Sequence, residues 1–372
     1  MTFYKREKKV GIGLIGSGFM GKAHANAFRS VSGIFNLPLI PNLEVIADIN
    51  LKSLKNSQAS SGFMRLTDKW KDLIKDKNVD IVAITTPNIL HKEMALYAIA
   101  LGKTVYCEKP LSIDSKSASK MAIKAKSNNI ITMVGFTFLR NPMIHLAKNI
   151  IDSGEIGEIR TFNGIHAEDY MGDEVPHSFR TTANSGGGAL MDLGSHIISI
   201  GKFLLGSITE VVGIEENNVP MRLDVLKKKL IKSKVDDRSI FMARFSKGVI
   251  GNFEACWNYT GSNMKLAFEV TGSKGAIKFN QERMNELLFY SKKTSGFSKI
   301  ESGPEHQPYG NFCPAPGHHL GFNDLKIIEV ADLINAHHNR DPVFTDFEEG
   351  YQIQLIIDAV KKSSKYKRWV KV

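Results

Sequence analysis

Val10-Gly-Ile-Gly-Leu-Ile15 runs straight into Gly16-Ser17-Gly18-Phe19-Met20-Gly21, and the reading of this stretch decides the fold. An apolar run of strand length ends in glycines, and Phe19 to Val31 follows with helical character. GxGxxG alone is a common pattern; between a strand and a helix it has a mechanical meaning. The first glycine makes the turn, the second lets a pyrophosphate approach the backbone, and the third lets helix and strand pack closely. The helix N-terminus, with Phe19 and Met20 in its first turn, offers amide donors to an anion. A rival reading is a signal peptide, because Lys5, Arg6, Lys8 and Lys9 precede the apolar run and Ala23-His24-Ala25 mimics a cleavage site. Gly11, Gly13, Gly16, Gly18 and Gly21 make a poor signal helix and suit a glycine turn.

Outward from the turn, strands and helices alternate. Leu43 to Ala47 reads as a strand ending at Asp48, and Lys52 to Ser60 as a helix. Thr67 to Lys75 reads as a helix opened by a threonine cap. Asp80 to Thr85 is a strand closed by Thr86-Pro87-Asn88, and His91 to Leu101 a helix stopped at Gly102. Thr104 to Cys107, Ser112 to Ser127 and Ile130 to Phe136 continue as strand, helix and strand. Such alternation implies right-handed βαβ units and a doubly wound parallel sheet. Asp48, at the end of the second strand, is placed to meet ribose hydroxyls. It lies beyond the usual spacing of about 20 residues, because Gly33 to Asn42 reads as an inserted loop. No arginine follows Asp48 to meet a 2′-phosphate, so NAD is favoured over NADP.

The pattern changes after Asn141. Pro142 opens a helix to Ile151, and strands then come in series: Ile159 to Ala167, Ile208 to Ile214, Ser239 to Phe245, Val249 to Trp257, Lys265 to Thr271 and Gly275 to Phe279. Ser246-Lys247-Gly248 and Gly272 to Gly275 are hairpin turns. Helices over Ala189 to Leu205, Asp324 to Ala336 and Phe347 to Lys361 are expected to cover one face of this second sheet, with Ser291 to His318 a long loop. The fold class is therefore α/β. Residues 1–140 are expected to form a Rossmann domain, and residues 141–372 an α+β domain with a largely antiparallel open sheet.

The 372 residues suit two domains. With 42% hydrophobic and 23% charged residues the composition is globular, which excludes disordered and low-complexity classes. Cys107, Cys256 and Cys313 are too few and too scattered for a disulfide framework or a zinc knuckle, and suit reduced thiols in a cytoplasmic enzyme. No apolar run reaches the roughly 18 residues of a membrane span. The net charge of +11 invites a nucleic-acid partner. The lysines cluster at 227–229, 292–293 and 361–371 without interleaved stacking aromatics, and read as solvated surface, so neither nucleic acid nor membrane is expected as a partner.

Three further segments carry chemistry: Thr85-Thr86-Pro87-Asn88 with His91, Glu108-Lys109-Pro110, and Gly186-Gly187-Gly188-Ala189-Leu190-Met191-Asp192-Leu193-Gly194-Ser195-His196. Lys109 is a cation at a strand's carboxyl end, where open α/β sheets place ligands. Asp192 and His196, four apart, share a face of a regular helix. Oxidation of an alcohol needs a base for the hydroxyl proton, which histidine suits, and a hydride acceptor, which a nicotinamide supplies. No third ligand accompanies Asp192 and His196, so no metal is expected.

In this order the motifs resemble the Gfo/Idh/MocA family, the glucose–fructose oxidoreductase and inositol dehydrogenase group, from Val10 to about Ala359. The resemblance implies an NAD-dependent dehydrogenase of a cyclic polyol or sugar, an inositol first, with a pyranose or anhydrosugar close behind. It implies His196 as general base, Lys109 polarising the substrate hydroxyl and Asp192 orienting it. It also implies Glu108 beside the nicotinamide, and Thr86, Pro87, Asn88 and His91 along the ribose and pyrophosphate. Many members carry GFNxRR where this chain has Gly135-Phe136-Thr137-Phe138-Leu139-Arg140, leaving Arg140 at the border of cofactor and substrate. Tyr170, Arg180 and His318 are further candidates for substrate contact. A homodimer or homotetramer is implied. An NAD-dependent glycosidase and a non-catalytic sugar sensor are the rival readings on the same fold.

Overall fold

The computed structural model describes residues 8–50, 52, 54–55, 60–294 and 296–372. The helix expected over Lys52 to Ser60 falls largely outside them, as do Lys5 and Arg6. Two compact units emerge: Met1–Ser112 with Lys116–Thr137 and Gly321–Tyr351, and Ile113–Ser115 with Phe138–Leu320 and Gln352–Val372.

The first unit holds a six-stranded sheet of order β3-β2-β1-β4-β5-β6, parallel throughout. Its strands are β1 Lys9–Ile15, β2 Ile40–Ala47, β3 Arg65–Thr67, β4 Ile81–Ile84, β5 Thr104–Cys107 and β6 Thr132–Val134. The helices between them are α1 Phe19–Ile34, α2 Trp70–Lys75, α3 Asn88–Ala100 and α4 Ser115–Ser127. The apolar run that begins at Val10 is thus an interior strand, buried from Val10 onward as a parallel strand must be. Strand order reverses between β1 and β4, and both strands end where α/β sheets bind ligands.

Three expectations need correction here. The loop expected over Gly33 to Asn42 shortens to residues 35–39, since α1 runs to Ile34 and β2 begins at Ile40. Thr67 does not open a helix; it ends the edge strand β3, paired with Ala47, and α2 begins only at Trp70. The helix α8, Phe322–Asn339, belongs with the first unit, where it packs along α1, and does not cover the second sheet. The following chain also joins the first sheet's edge: Val134 N–H donates to Thr345 O (2.7 Å) and Phe347 N–H to Thr132 Oγ1 (3.1 Å). The segment expected in a domain of residues 141–372 therefore returns to the first unit over 321–351.

The second unit is built on a nine-stranded sheet of order β16-β15-β14-β13-β7-β12-β11-β8-β17. Only β7 with β12 is parallel among these pairs. The strands are β7 Ile159–Ala167, β8 Ile208–Glu216, β11 Arg238–Phe245, β12 Ile250–Cys256, β13 Lys265–Gly272, β14 Gly275–Asn280, β15 Glu286–Ser291, β16 Phe297–Glu301 and β17 Val370–Lys371. A hairpin, β9 Met221–Asp224 with β10 Lys229–Lys232, stands apart from the sheet. Ser291 to His318, expected as loop, contains β16 and the short α7, Tyr309–Phe312.

Helices α5, Pro142–Asp152, and α6, Ser195–Leu205, pack on one sheet face. The core beneath is aromatic: Phe241 and Phe253 stack at 4.8 Å, and Phe162 lies 4.9 Å from Phe253. The other face carries an open depression of about 700 Å³ that includes Asn163, Ile165, Asn252, Glu269 and Lys278. The last helix, α9, spans Phe347–Tyr366. Among the described residues one run, Ala183–Leu205, is long and apolar enough to cross a membrane, and 83% of its most apolar 18-residue stretch is buried within the fold.

Candidate active site

In the first unit the glycine turn leaves β1 at the reversal point. Gly16 has φ +103°, and a Cβ there would lie 2.7 Å from Thr85 Oγ1. A Cβ on Gly21 would lie 2.1 Å from Gly16 O. Packing therefore demands the first and third glycines. Gly18 differs, since nothing lies within 4 Å of a Cβ built on it. The second glycine borders open space at the N-terminus of α1, where Met20 is half-buried and Phe19 is 74% exposed.

Asp48 closes the same region. Its Oδ2 accepts the Ser17 N–H (2.8 Å) and hydroxyl (2.7 Å), and its Oδ1 accepts the Asn50 N–H (2.9 Å). Burial pushes its pKa up, but these donors outweigh burial and hold the carboxyl below its ordinary value. An ionised carboxylate beside open space at a helix N-terminus fits a ligand with ribose hydroxyls and an anionic linker.

Pro87 and Asn88 open α3 at the end of β4. His91, on α3, is fully buried; Nδ1 meets Pro110 O (3.0 Å) and Nε2 meets Thr86 O (2.8 Å). Burial lowers its pKa. The ring thus ties the Thr86 loop to the Glu108-Lys109-Pro110 loop from inside, and its nitrogens face protein carbonyls. Glu108 is likewise turned inward. Its Oε1 meets His24 Nε2 (2.7 Å) and Lys326 Nζ (2.9 Å), and its Oε2 accepts the Lys109 N–H (3.2 Å).

In the second unit the Gly186–His196 segment is shaped by Asp236. Its backbone oxygen accepts the Ala189 N–H (3.0 Å), and its Oδ2 accepts the Leu190 N–H (2.7 Å). Gly188 has φ +113°, and a Cβ on it would lie 2.1 Å from Asp236 Oδ1. Leu190–Gly194 is then a π-turn, and α6 begins at Ser195. The regular helix expected from Ala189 is therefore irregular at Asp192, and helical spacing alone does not orient that side chain.

Asp192 Oδ2 accepts both the Tyr170 hydroxyl (2.8 Å) and Arg180 Nε–H (3.1 Å). Tyr170 keeps about a third of its surface exposed (36%). The desolvation of its hydroxyl, with the charge of Asp192 beside it, raises the phenol's pKa. His196, in the first turn of α6, is 6% exposed. Its ring lies 4.7 Å from Phe138 and 5.5 Å from His166.

His166 is a site neighbour that sequence reasoning missed. Its Nδ1 meets Leu193 O (3.0 Å) and its Nε2 meets Glu168 Oε1 (2.9 Å). The signal was there: alternation puts residues 166 and 168 on one side of a strand end. Arg222, buried on β9, was missed as well. Its guanidinium reaches Met171 O (3.1 Å), Gly172 O (2.9 Å) and Asp237 Oδ1 (2.9 Å), clamping the loop that follows Tyr170.

Of the expected residues, Gly16 to Gly21, Asp48, Thr86 to His91, Glu108 and Lys109 lie in the first unit. Arg140, Tyr170, Arg180, Asp192, His196 and His318 lie in the second. Arg140 ends a short 3-10 turn and is 2% exposed. His318 is exposed, with Nδ1 against Ala315 O at 3.1 Å.

Comparison with known proteins adds the following. Residues 10–136 match the family model described as oxidoreductase family, NAD-binding Rossmann fold, and residues 144–278 match the GFO/IDH/MocA C-terminal domain. Levoglucosan dehydrogenase of Pseudarthrobacter phenanthrenivorans is 35% identical over 98% of this chain and 98% of its own length. The NAD(+)-dependent scyllo-inositol 2-dehydrogenase of Bacillus subtilis is 24% identical over 95% of this chain and 94% of its own. A levoglucosan dehydrogenase structure in complex with NADH and levoglucosan superposes with a TM-score of 0.94, at 36% identity, over 98% of this chain and all (100%) of the other.

Proposed function

The chain belongs to the Gfo/Idh/MocA oxidoreductases, with an NAD-binding Rossmann domain, and we propose that it oxidises a ring hydroxyl of an anhydrosugar of the levoglucosan type. The observation that carries this reading is the end-to-end likeness to levoglucosan dehydrogenase, 35% identical over 98% of both chains. That likeness supports an anhydrosugar over an inositol, whose dehydrogenase is the more distant relative at 24%.

The residues at hand supply the parts. The amides around Gly16 to Gly21 would hold the pyrophosphate of the dinucleotide, Asp48 would hold the ribose hydroxyls, and the Thr86 to Asn88 loop would flank them. NAD bound there would supply the acceptor for the hydride that the carbinol carbon loses. His196 takes the hydroxyl proton as that carbon becomes a carbonyl, so one proton and one hydride leave together. Lys109 polarises the hydroxyl oxygen. Asp192, held by Tyr170 and Arg180, orients the substrate. His166, packed 5.5 Å from His196, sets the ring's position. The open face of the second sheet is the surface on which copies of the chain associate into a homodimer or homotetramer; light scattering at micromolar concentration reads that directly, and a monomer contradicts it.

The test is a panel of levoglucosan, myo- and scyllo-inositol, glucose and xylose with NAD or NADP, read by reduced-nicotinamide absorbance. NADH accumulation, fastest with levoglucosan and NAD, is expected. Glycoside cleavage without NADH accumulation contradicts the reading, and so does a rate with scyllo-inositol above that with every sugar.

A further inference from the structure

The buried polar groups of the first unit that the proposed reaction does not use converge on Lys326. This side chain on α8 is 0% exposed, and its ammonium donates to Glu108 Oε1 (2.9 Å), Tyr106 Oη (3.0 Å) and Glu329 Oε2 (2.8 Å). Glu329 Oε2 also accepts the Tyr106 hydroxyl and, at 2.9 Å, the Thr137 hydroxyl. The ring of His24, one helical turn into α1, stacks on Tyr106 with centroids 4.4 Å apart while its Nε2 meets Glu108. One cluster thus joins the helix after the glycine turn, the strand before Glu108 and a helix more than 200 residues further along the chain.

Its charge state follows from the geometry. His24 Nδ1 is buried without a hydrogen-bond partner, so an imidazolium would strand an N–H there. The neutral ring with its proton on Nε2 donates to Glu108 and leaves only an acceptor unused. Two carboxylates, Glu108 and Glu329, therefore face one ammonium. The Glu108 carboxylate also presses on Gly135, where a Cβ would lie 2.8 Å from Oε1 and 2.9 Å from Oε2. Its remaining hydrogen bond is accepted from the Lys109 N–H.

We propose that Lys326 is the positioning residue of the Glu108-Lys109 segment. It holds the Glu108 carboxylate inward, and that carboxylate fixes the Lys109 amide and the direction in which the Lys109 side chain leaves the strand end. Stability alone does not require such a group, because buried ion clusters are often replaceable by apolar side chains without loss. What apolar side chains cannot supply is an anchored acceptor for one backbone amide. The inference rests on the reading of Lys109 as a group acting on the substrate hydroxyl.

The test uses the full chain in three forms: Lys326→Met, the double variant Lys326→Met with Glu329→Gln, and Lys109→Met. The double variant removes one negative charge along with the ammonium, so the cluster's net charge matches the wild type even if the single variant folds poorly. In both Lys326 variants kcat with the best sugar is expected to fall about 10- to 100-fold, the scale of a misplaced catalytic group. The NADH dissociation constant is expected to move less than about threefold, and hydrogen exchange at the Lys109 amide to quicken at least tenfold. A double variant that recovers melting temperature, kcat and Lys109 protection together overturns the inference and leaves a purely structural role. Unchanged Lys109 exchange in a folded variant overturns it without any activity measurement. Lys109→Met retaining full turnover overturns the underlying reading of Lys109, an outcome distinct from the other two.

Discussion

Gly18 and Gly188 are both motif glycines, and their surroundings are opposite. Gly18 has φ −70° and nothing within 4 Å of a Cβ. Gly18→Ala should leave stability within about 0.5 kcal/mol while the added methyl fills the approach to the backbone, weakening NADH at least tenfold by fluorescence titration. Gly188 has φ +113° and Asp236 Oδ1 at 2.1 Å. Gly188→Ala should cost about 2 to 3 kcal/mol, read as a lowered melting temperature. A stable Gly188→Ala, or a Gly18→Ala with unchanged NADH affinity, contradicts these assignments. Residue motifs with local partners were legible in the sequence: the glycine turn stands after β1 and Asp48 at the end of β2, where reading placed them. His166, Arg222 and Lys326 were not. Lys326 meets Glu108 across 218 positions of sequence, and Arg222 meets Met171 across 51. No spacing rule reaches that far.

At the scale of elements, the π-turn carrying Asp192 depends on the Asp236 carboxylate that accepts the Leu190 N–H. Burial raises Asp236 to about 6, against the partial opposition of the Leu190 N–H and Lys361. Glu215 is raised to about 7 by burial and by the charge of Asp236. Unfolded carboxyls titrate near pH 4, so the folded chain binds protons that the unfolded chain has released between about pH 4 and 7. Stability from these two groups is fully present below that window and is lost as pH rises through it. His24 and His91, with lowered pKa values, act with the opposite sign, so the informative quantity is a difference between proteins. Asp236→Asn keeps an acceptor for Leu190 and removes the charge. It should melt several degrees above the wild type at pH 7.5, with the gap closing by pH 4.5; a gap independent of pH contradicts this.

The central strands and the α1 helix were legible because continuous apolar runs and glycine stops are local. The β9–β10 hairpin and β16 were not, since Met221, Leu223 and Leu230 are exposed and give no buried alternation. The helix α8 was found but assigned to the wrong unit. It is buried on nearly every side, from Leu325 to Ala336, and such a helix carries no directional face to say what it covers.

For the whole molecule, the net charge of +11 that invites a nucleic-acid partner has no part in the account. Lys227, Lys228 and Lys229 are exposed at the β9–β10 hairpin. The central claim is a hydride-transferring dehydrogenase in which His196 takes the substrate proton. The most direct measurement is the rate of NADH formation from levoglucosan and NAD by wild type and His196→Ala, with NADH binding titrated on both. Removing a general base is expected to lower turnover about 10²- to 10⁴-fold while the NADH dissociation constant stays within about twofold of the wild type. A variant that forms NADH at the wild-type rate contradicts the account.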